Sequence, residues 1–423
     1  MKYRDWQLMN KKKNKFIPEL RFPEFAFDEG WEYANGDKLF ETISNKNHNS
    51  DLPILAITQE HGAVPREMID YHVSVTDKSI ESYKIVEIGD FIISLRSFQG
   101  GIEYSKYLGL CSPAYIILRK RIDLDNDFYR HYFKSIPFIR DLNKNIEGIR
   151  DGKMVSYTQF SEIFIPKPNK TEQEKIASCL SSLDDIIMAH SQKLELLKDH
   201  KKGLTNNLFP QKGKKAPKYR FPEFQNDGDW AKVALEKITY NIMVGIASAA
   251  THAYRESGVV LFRNQNIKEG YLDDSDILYI DKEYEKAHKN KRLKAGDLLT
   301  ARTGYPGTTC VVPDKYEGSQ SFTTLIIRPN NNLIDSTFLC FYINSEQGQA
   351  FFDSEKIGGG QKNVNAGSLI EMPIQFPSIN EQQKIVSCLS ALDETITQQT
   401  NRIVQLKQHK KGLMQGLFPK VEK

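Results

Sequence analysis

The chain has 423 residues, of which 39% are hydrophobic and 26% charged, which is the balance of an ordinary soluble protein with room for two domains. No apolar run approaches the length of a membrane span, and the lysine-rich segment 1–15 lacks the apolar core of a signal peptide. Five cysteines without C-x-x-C spacing argue against disulfides or zinc and favour a cytoplasmic location. The net charge of +4 only weakly indicates a polyanionic partner.

Two stretches of the first half return in the second half. The motif RFPEF at residues 21–25 recurs at 220–224, and a tryptophan follows each copy. Residues 171–210 match 380–419 more closely, including the run HKKGL in each stretch. Between these matches the halves differ, and the second half is longer. Similar helices joined to dissimilar globular parts predict one framework that carries two different recognition modules.

Each half is predicted to contain a mixed α/β domain. A Gly-Asp turn leads into a short apolar strand that ends on an arginine, and a second strand and a helix follow. These elements are predicted at Gly89-Asp90, a strand ending on Arg96, a strand at 115–119 and a helix near Phe128, and again at Gly296-Asp297, a strand ending on Arg302, a strand at 325–328 and a helix near Phe338. The spacing from turn to arginine differs by one residue, which leaves the correspondence of the two arginines open.

Three polar loops in each half are candidates for DNA contacts. Arg, Asn and Gln can form paired hydrogen bonds with base edges, whereas Lys and Ser suit phosphates. For any single residue, a solvated surface side chain is the alternative interpretation. The candidates are Gln59, His61, Arg96, Ser97, Gln99, Arg150 and Lys153 in the first half, and Arg263, Asn264, Gln265, Arg302, Thr303, Gln361, Lys362 and Asn363 in the second.

Each half closes with a long helix. Apolar residues recur at alternating intervals of four and three, which is the seam of a coiled coil, and polar residues interrupt both copies at the same two positions. Capping boxes are predicted at 171–174 and 380–383, and a Phe-Pro pair closes each helix. The apolar seam residues are Ile176, Leu180, Leu183, Ile187, Leu194, Leu197, Leu204 and Leu208, and in the second copy Ile385, Leu389, Leu392, Ile396, Ile403, Leu406, Leu413 and Leu417.

The order of the segments predicts that the two helices pair antiparallel. A helix over 171–208 would be roughly 57 Å long, too long to pack only on its own domain. A compact domain of this size is about 40 Å across, so parallel helices would force its two ends to span the whole coil. Antiparallel helices need no such stretch, and they predict a pseudo-two-fold arrangement with one globular domain at each end of the coil.

Gly203 and Gly412 occupy equivalent positions inside these helices, where glycine costs about 1 kcal/mol relative to alanine. Tolerated drift is one interpretation. The interpretation we favour is that another backbone approaches closely, for example a partner's helix.

These features resemble the specificity subunit of a type I restriction–modification system. The resemblance covers nearly the whole chain and rests on the two-fold repeat, the Gly-Asp strand segments and the helix motif EQxKI at 172–176 and 381–385. It implies that each globular unit is a target-recognition domain for one half of a split DNA site. It also implies that the helices set the spacer and dock two modification subunits, which methylate adenine with S-adenosylmethionine. Two motor-nuclease subunits, which use ATP and Mg²⁺, complete the complex that the resemblance implies.

On this basis we expect target-recognition domains at 1–168 and 218–377, spacer helices at 169–210 and 378–423, and a linker at 211–217.

The chain shows no recognisable chemistry of its own. It lacks the Asn/Asp-Pro-Pro-Tyr/Phe element of amino-methyltransferases and the Gly-x-x-x-x-Gly-Lys-Ser/Thr phosphate loop. We therefore expect a non-catalytic DNA-recognition subunit without a bound cofactor, reading an asymmetric site. A coiled-coil interaction scaffold that does not bind DNA and a stand-alone enzyme with an unrecognised site are the alternatives.

Overall fold

The computed structural model describes residues 16–49, 51–69, 80–144, 155–248, 250–354 and 364–419. The chain forms two compact units, which we call the first unit (Met1–Ser191 with Asn401–Lys423) and the second unit (Gln192–Thr400). Two long helices, Lys170–Leu208 and Ile379–Leu417, each contribute residues to both units. Among the described residues, no helix is both long and apolar enough to cross a bilayer. The same residues contain no cluster of three or more His, Cys, Asp or Glu side chains arranged to hold a metal ion.

The first unit is built on a four-stranded antiparallel sheet with strand order Phe40–Ile43, Ile116–Lys120, Phe91–Ile93 and Glu103–Tyr104. Three antiparallel strand pairs surround it: Glu32–Asn35 with Phe164–Lys167, Leu55–Thr58 with Gly62–Pro65, and Lys84–Val86 with Gly109–Cys111. The shorter helices are Gly36–Leu39, Ser97–Gly100, Asn126–Tyr132, Ile136–Lys144 and Tyr157–Ser161. Short 3-10 turns lie at Pro23–Phe25 and Arg66–Met68.

The second unit repeats the central sheet with strands Thr239–Val244, Leu325–Pro329, Leu298–Thr300 and Thr309–Val311. A second four-stranded sheet has the order Tyr254–Arg255, Leu278–Ile280, Val259–Phe262 and Gln320–Ser321. Two strand pairs join Ala231–Ala234 with Pro373–Phe376 and Ile267–Lys268 with Tyr271–Leu272. The helices are Lys282–Lys286, Ser336–Asn344, Glu346–Ser354 and Ala366–Ile370, and 3-10 turns lie at Pro222–Phe224, Leu235–Ile238, Thr251–Ala253, Asn264–Asn266, Lys289–Lys291 and Asp314–Tyr316. The predicted mixed α/β class is confirmed.

In both units, the buried aspartate of the Gly-Asp turn pairs with a partly exposed arginine. Asp90 is 1% exposed and accepts two hydrogen bonds of 2.8 Å from the Arg119 guanidinium. Asp297 repeats this with Arg328 at 2.8 and 2.7 Å. The strand after each turn is shorter than predicted and ends at Ile93 or Thr300. The two arginines that were expected to end these strands therefore lie in the loops that follow.

The RFPEF motif attaches each globular part to the start of a long helix. In the first unit, the Arg21 guanidinium donates to both carboxylate oxygens of Glu172 at 2.7 and 2.8 Å, and its other donors reach backbone carbonyls. Glu172 is only 1% exposed. Arg220 and Glu381 make the same paired contact in the second unit at 2.9 and 2.7 Å. We call these two ion pairs the arginine clamps.

Arg21→Ala is expected to lower the free energy of unfolding of the first unit by about 3–5 kcal/mol, because the Glu172 carboxylate would stay buried without a partner. Differential scanning calorimetry of the purified chain measures this loss. The control is Lys175→Ala, which removes a half-exposed, solvent-screened ion pair with Glu24 and should lower the free energy of unfolding far less. Equal losses in the two variants would contradict the importance of the clamp.

The long helices begin earlier than predicted. The side chain of Asn169 caps the first helix by accepting a hydrogen bond from the backbone nitrogen of Glu172 at 2.7 Å, and the second helix begins at Ile379. The capping boxes predicted at 171–174 and 380–383 are therefore wrong, because these residues already lie inside the first turn.

The glutamine of the EQxKI motif joins each long helix to a shorter helix of the same unit. Gln173 is 2% exposed and accepts a hydrogen bond at 2.9 Å from the backbone nitrogen of Asp125, the N-cap of Asn126–Tyr132. Gln382 is fully buried and accepts the equivalent bond from Asp335 at 2.8 Å. The motif is therefore structural: its glutamate and glutamine fasten the helix to the globular part.

Within each unit, the start of one long helix packs against the end of the other. An ion pair joins Asp184 to Lys410 in the first unit, and Lys201 Nζ lies 2.6 Å from the Asp393 carboxylate in the second. The shared cores contain Ile176, Leu180, Leu417 and Phe418 in the first unit, and Leu208, Phe209, Ile385 and Leu389 in the second. The predicted antiparallel pairing is confirmed within each unit, and every predicted seam position is buried or half-buried.

The closing Phe-Pro of each helix anchors it in an aromatic core. Phe418 is fully buried, and its ring centre lies 5.5 Å from those of Phe128 and Tyr132. Phe209 is equally buried and lies 5.4 Å from Phe338. The end of each long helix is thus part of a globular core.

A buried histidine distinguishes the first unit from the second. His131 is 3% exposed, and its Nε2 lies 3.2 Å from the hydroxyl of Ser181 on the first long helix. Burial, together with the positive charges of Lys410 and Arg130, lowers the pKa of His131 to about 2. The second unit has Phe341 at the corresponding position, with Lys201 Nζ 5.5 Å from its ring centre.

Acidification below about pH 6.5 is expected to destabilise the first unit through His131. A histidine of the unfolded chain titrates near about 6.5, whereas the folded one stays neutral down to about pH 2. The unfolded state therefore binds the proton first, and the free energy of unfolding falls by up to about 1.4 kcal/mol per pH unit. His131→Phe, which copies the second unit, should remove this contribution when thermal unfolding is followed between about pH 7.5 and 5. An identical pH dependence in the variant would contradict the assignment.

Candidate nucleic-acid interface

The first two candidate loops of the first unit contact each other. Gln59 follows the strand Leu55–Thr58, and its Nε2 donates to the backbone carbonyl of Arg96 at 3.2 Å. Gly100 allows this approach, because a Cβ there would lie 2.7 Å from the Gln59 side chain. Gln59, His61, Arg96 and Gln99 are exposed, so the two loops present polar side chains at one place on the surface.

Ser97 was predicted to contact DNA, but its side chain is buried. It is 1% exposed, and its hydroxyl accepts a hydrogen bond from the backbone nitrogen of Ser94 at 2.9 Å. The residue shapes the turn after the central strand, and its hydroxyl does not face solvent. The prediction of a DNA contact by Ser97 therefore finds no support in the geometry.

The turn after the helix Asn126–Tyr132 and the helix Ile136–Lys144 support the second loop on its inner side. Lys134 Nζ donates to the carbonyl of Gly100 at 3.0 Å and lies 2.6 Å from the buried carboxylate of Glu103. Burial raises the pKa of Glu103 and lowers the pKa of Lys134. Asn143 Nδ2 donates to the carbonyl of Phe98 at 2.7 Å. These contacts fix the backbone beside Arg96 and leave its side chain exposed.

The second unit also brings its two loops together. Asn264 Oδ1 accepts a hydrogen bond from the backbone nitrogen of Arg302 at 2.7 Å, and its Nδ2 lies 3.3 Å from Thr323 Oγ1. The Arg302 guanidinium donates through Nε to the carbonyl of Val364 at 3.0 Å. Asn264 was predicted to contact DNA, but both ends of its amide are engaged within the protein. Thr303 lies beside Arg302 and is half-buried.

A carboxylate pairs with the two remaining candidates of this loop. Arg263 Nη2 and Gln265 Nε2 donate to the same Asp276 oxygen at 2.9 and 2.8 Å. Asn266 is buried and braces the loop by accepting from the Arg263 backbone nitrogen at 2.8 Å and donating to the Asp276 carbonyl at 2.9 Å. Asp276 therefore occupies one nitrogen of each of these two side chains.

Sequence reasoning missed two residues near these loops. Tyr305 is 85% exposed, and Thr323 has a positive φ of 53°. The sequence Gly-Tyr-Pro-Gly at residues 304–307, a tyrosine among turn-forming residues, was a signal visible in the sequence. The threonine carried none, because its backbone angle depends on contacts that are distant in sequence. The predicted residues Arg150, Lys153, Gln361, Lys362 and Asn363 lie outside the described residues.

Gly203 and Gly412 are exposed, and a Cβ at either would meet no atom within 4 Å beyond its chain neighbours and the backbone of its own helix. The close approach predicted at these glycines is therefore not made by the described part of the chain itself.

Comparison with known protein families identifies the family of this chain. The family described as "Type I restriction modification DNA specificity domain" matches residues 27–199 and 207–408. The chain is 24% identical to the type I restriction enzyme MjaVIII specificity subunit of Methanocaldococcus jannaschii, with 95% of this chain and 96% of the relative covered. It is 23% identical to the EcoKI specificity subunit of Escherichia coli K12, over 67% of this chain and 63% of that protein.

Solved structures have the same fold. The crystal structure of a type I restriction–modification S subunit from M. genitalium matches with a TM-score of 0.56 at 15% identity, over 96% of this chain and all of that one. A chain from a structure on complex assembly and conformational transition of the type I system matches with a TM-score of 0.57 at 15% identity, over 93% of this chain and 98% of that one. At 15% identity, the likeness to these solved structures supports the fold alone. The family is supported by the family model, which matches both halves of the chain. The chain belongs to the type I restriction–modification DNA specificity family and is a DNA-recognition subunit of that kind.

Proposed function

We propose that this chain reads an asymmetric, two-part DNA sequence, with a different half read by each target-recognition domain. The proposed domains are residues 1–168 and 218–377, as expected from the sequence. The main support for the proposal is a contrast between the two units. The contacts that fasten each globular part to the long helices are repeated, whereas the polar loops of the two units differ. The arginine clamps and buried glutamines recur almost atom for atom, whereas Gln59 and Asn264 brace loops of different sequence and shape.

The long helices would act as a ruler between the two half-sites. Each helix has 39 residues, about 58 Å at the rise of an α-helix. The clamps and the buried Phe209 and Phe418 fix each helix end in a globular core, so a change in helix length should change the spacing of the readers. Two readers on one face of a duplex would meet half-sites about one helical turn apart, roughly 34–36 Å.

We further propose that the helices dock two modification subunits in the cytoplasm, and that motor-nuclease subunits join through them. Base methylation requires the base to leave the stack, a step that belongs to those partners with S-adenosylmethionine. Large apolar side chains on the outside of the helices support docking, among them Met188 at 56% and Leu196 at 69% exposure. Gly203 and Gly412 would let a partner's helix approach closely.

The test is DNA binding by the complex of this chain with its modification subunits. Binding to DNA that carries the methylated motif should weaken by about 10³-fold or more between roughly 50 and 200 mM salt, because phosphate contacts release counterions. Native mass spectrometry of the same sample should show two modification subunits per chain. A complex that assembles but binds no DNA at low salt would instead support the interaction scaffold.

A further inference from the structure

The loop between the strands Leu298–Thr300 and Thr309–Val311 of the second unit is closed by its own backbone. The Gly307 nitrogen donates to the Ala301 carbonyl at 3.0 Å, and the Ala301 nitrogen donates to the Thr308 carbonyl at 2.8 Å. Two shorter-range bonds link Tyr305 to Thr303 and Thr308 to Tyr305 at 3.0 and 3.2 Å. Such a loop has little freedom left to lose when it binds a partner.

Glycines shape the loop. Gly304 and Gly307 have φ angles of 77° and 98°, which other residues rarely adopt. Nothing crowds Gly304, whereas Gly307 packs against the Phe352 ring. Gln349 also donates to the Gly307 carbonyl at 3.2 Å. The base of the loop is therefore fastened to the unit, and its tip projects.

Tyr305 lies at that tip and is 85% exposed, which makes it the most exposed large hydrophobic side chain among the described residues. A tyrosine combines a flat apolar ring with a hydroxyl that donates and accepts hydrogen bonds. Such a side chain can pack against a thymine methyl group or hydrogen-bond to a base edge.

The brace under this loop involves local backbone strain. Among the described residues, Thr323 is the one non-glycine with a positive φ, at 53°. Its backbone nitrogen donates to the Ile246 carbonyl at 2.9 Å, and its hydroxyl lies 3.3 Å from Asn264 Nδ2. Asn264 Oδ1 in turn holds the Arg302 nitrogen at 2.7 Å. A β-branched residue rarely adopts this conformation, and such strain concentrates at functional sites.

We propose that residues 302–307 form a preformed DNA-contacting loop, in which Tyr305 is the contact residue and Asn264 a positioning residue. The inference rests on the proposed function, and it names the residue of the second domain that meets the half-site. DNA is favoured over a protein partner because Asn264 joins this loop to the polar loop of Arg263 and Gln265. In the first unit, the short helix Ser97–Gly100 follows the equivalent strand in place of this loop. The two units therefore differ at this position, as domains that read different half-sites should.

The experiment uses the complete chain assembled with its modification subunits. Binding is measured for DNA with the intact motif and for DNA with single changes in either half-site. Tyr305→Ala should weaken binding to the intact motif about tenfold and reduce discrimination in the second domain's half-site, which corresponds to one lost base contact. Discrimination in the other half-site should stay unchanged. Tyr240→Ala, at another tyrosine of this unit that is 65% exposed, is the matched control and should bind like the wild type.

Two substitutions test the positioning role. Asn264→Ala removes both contacts and should reduce discrimination in the same half-site, while Asn264→Asp keeps the acceptor for the Arg302 nitrogen and should recover part of it. A purely structural role would lower the unfolding temperature of both variants without this half-site selectivity.

The outcomes separate the two proposals. If the wild-type complex binds its motif with the expected salt dependence and Tyr305→Ala matches it in both half-sites, the inference is wrong and the proposed function stands. If Tyr305→Ala instead loses the modification subunits, the loop is a protein contact and the inference is also wrong. If the wild-type complex binds no DNA, both proposals fail.

Discussion

Replacing residues 218–377 with the matching domain of another specificity subunit is expected to change one half of the methylated DNA motif. The other half and the spacer should stay as they were. The described polar loops of the second unit lie inside the exchanged segment, whereas both long helices lie outside it. With several base pairs read per half-site and about 1–3 kcal/mol lost for each mismatch, the old half-site should be recognised at least 10³-fold less well.

The chimera must retain the contacts that fasten the domain to the helices. Arg220 pairs with Glu381, the Asp335 nitrogen donates to Gln382, and the Phe338 ring packs on Phe209. A donor domain that supplies this arginine, this backbone donor and this phenylalanine ring should give a stable, active chimera. The control restores the original residues 218–377 through the same junctions and should return the original motif. A change in both halves of the motif, or in neither, would refute the assignment of one reader to each domain.

Lengthening both long helices by four residues is expected to lengthen the unread spacer by about two base pairs, since four residues add about 6 Å. The insertions belong after Leu197 and after Thr397, which lie at the same level of the antiparallel helices by the register of the Lys201–Asp393 ion pair. An insertion after Leu197 alone breaks the seam on one side, so it should either lengthen the spacer or abolish methylation.

The control for the helix insertions adds four residues after Gly213, in the linker that follows the first helix. Gly213 is exposed and has a φ of 81°. A Cβ built at this position would have no atom within 4 Å apart from its chain neighbours. The variant should keep the original spacer and activity. If the paired helix insertion leaves the spacer unchanged while methylation persists, the helices are not the ruler.

The elements with strong local patterns could be predicted from sequence. The four-three spacing identified the seam, because a helix presents residues at those intervals on one face. The order of segments identified the antiparallel pairing, since a compact domain cannot span the whole coil. The Gly-Asp turn and the helices near Phe128 and Phe338 are also local, and the structure has them at Asn126–Tyr132 and Ser336–Asn344.

The roles of individual polar side chains could not be predicted in this way. The RFPEF repeat was visible, but Arg21 reaches Glu172 through contacts distant in sequence. Asn264 and Ser97 have the residue types of DNA contacts, yet their polar atoms hold the backbone. Whether an amide faces solvent or a carbonyl depends on where other loops fold, and residue type contains no such information. For Gln59, Arg96 and Gln99, exposure is compatible with a contact, and their part in DNA binding stays a prediction.

Genome-wide mapping of N6-methyladenine, in a host that carries this chain and its modification subunit, tests the central claim most directly. The proposed function predicts one non-palindromic motif, with two short specified parts separated by a spacer of constant length. Methylation should disappear when the gene for this chain is deleted. A palindromic or uninterrupted motif, or methylation that persists without this chain, would contradict the account.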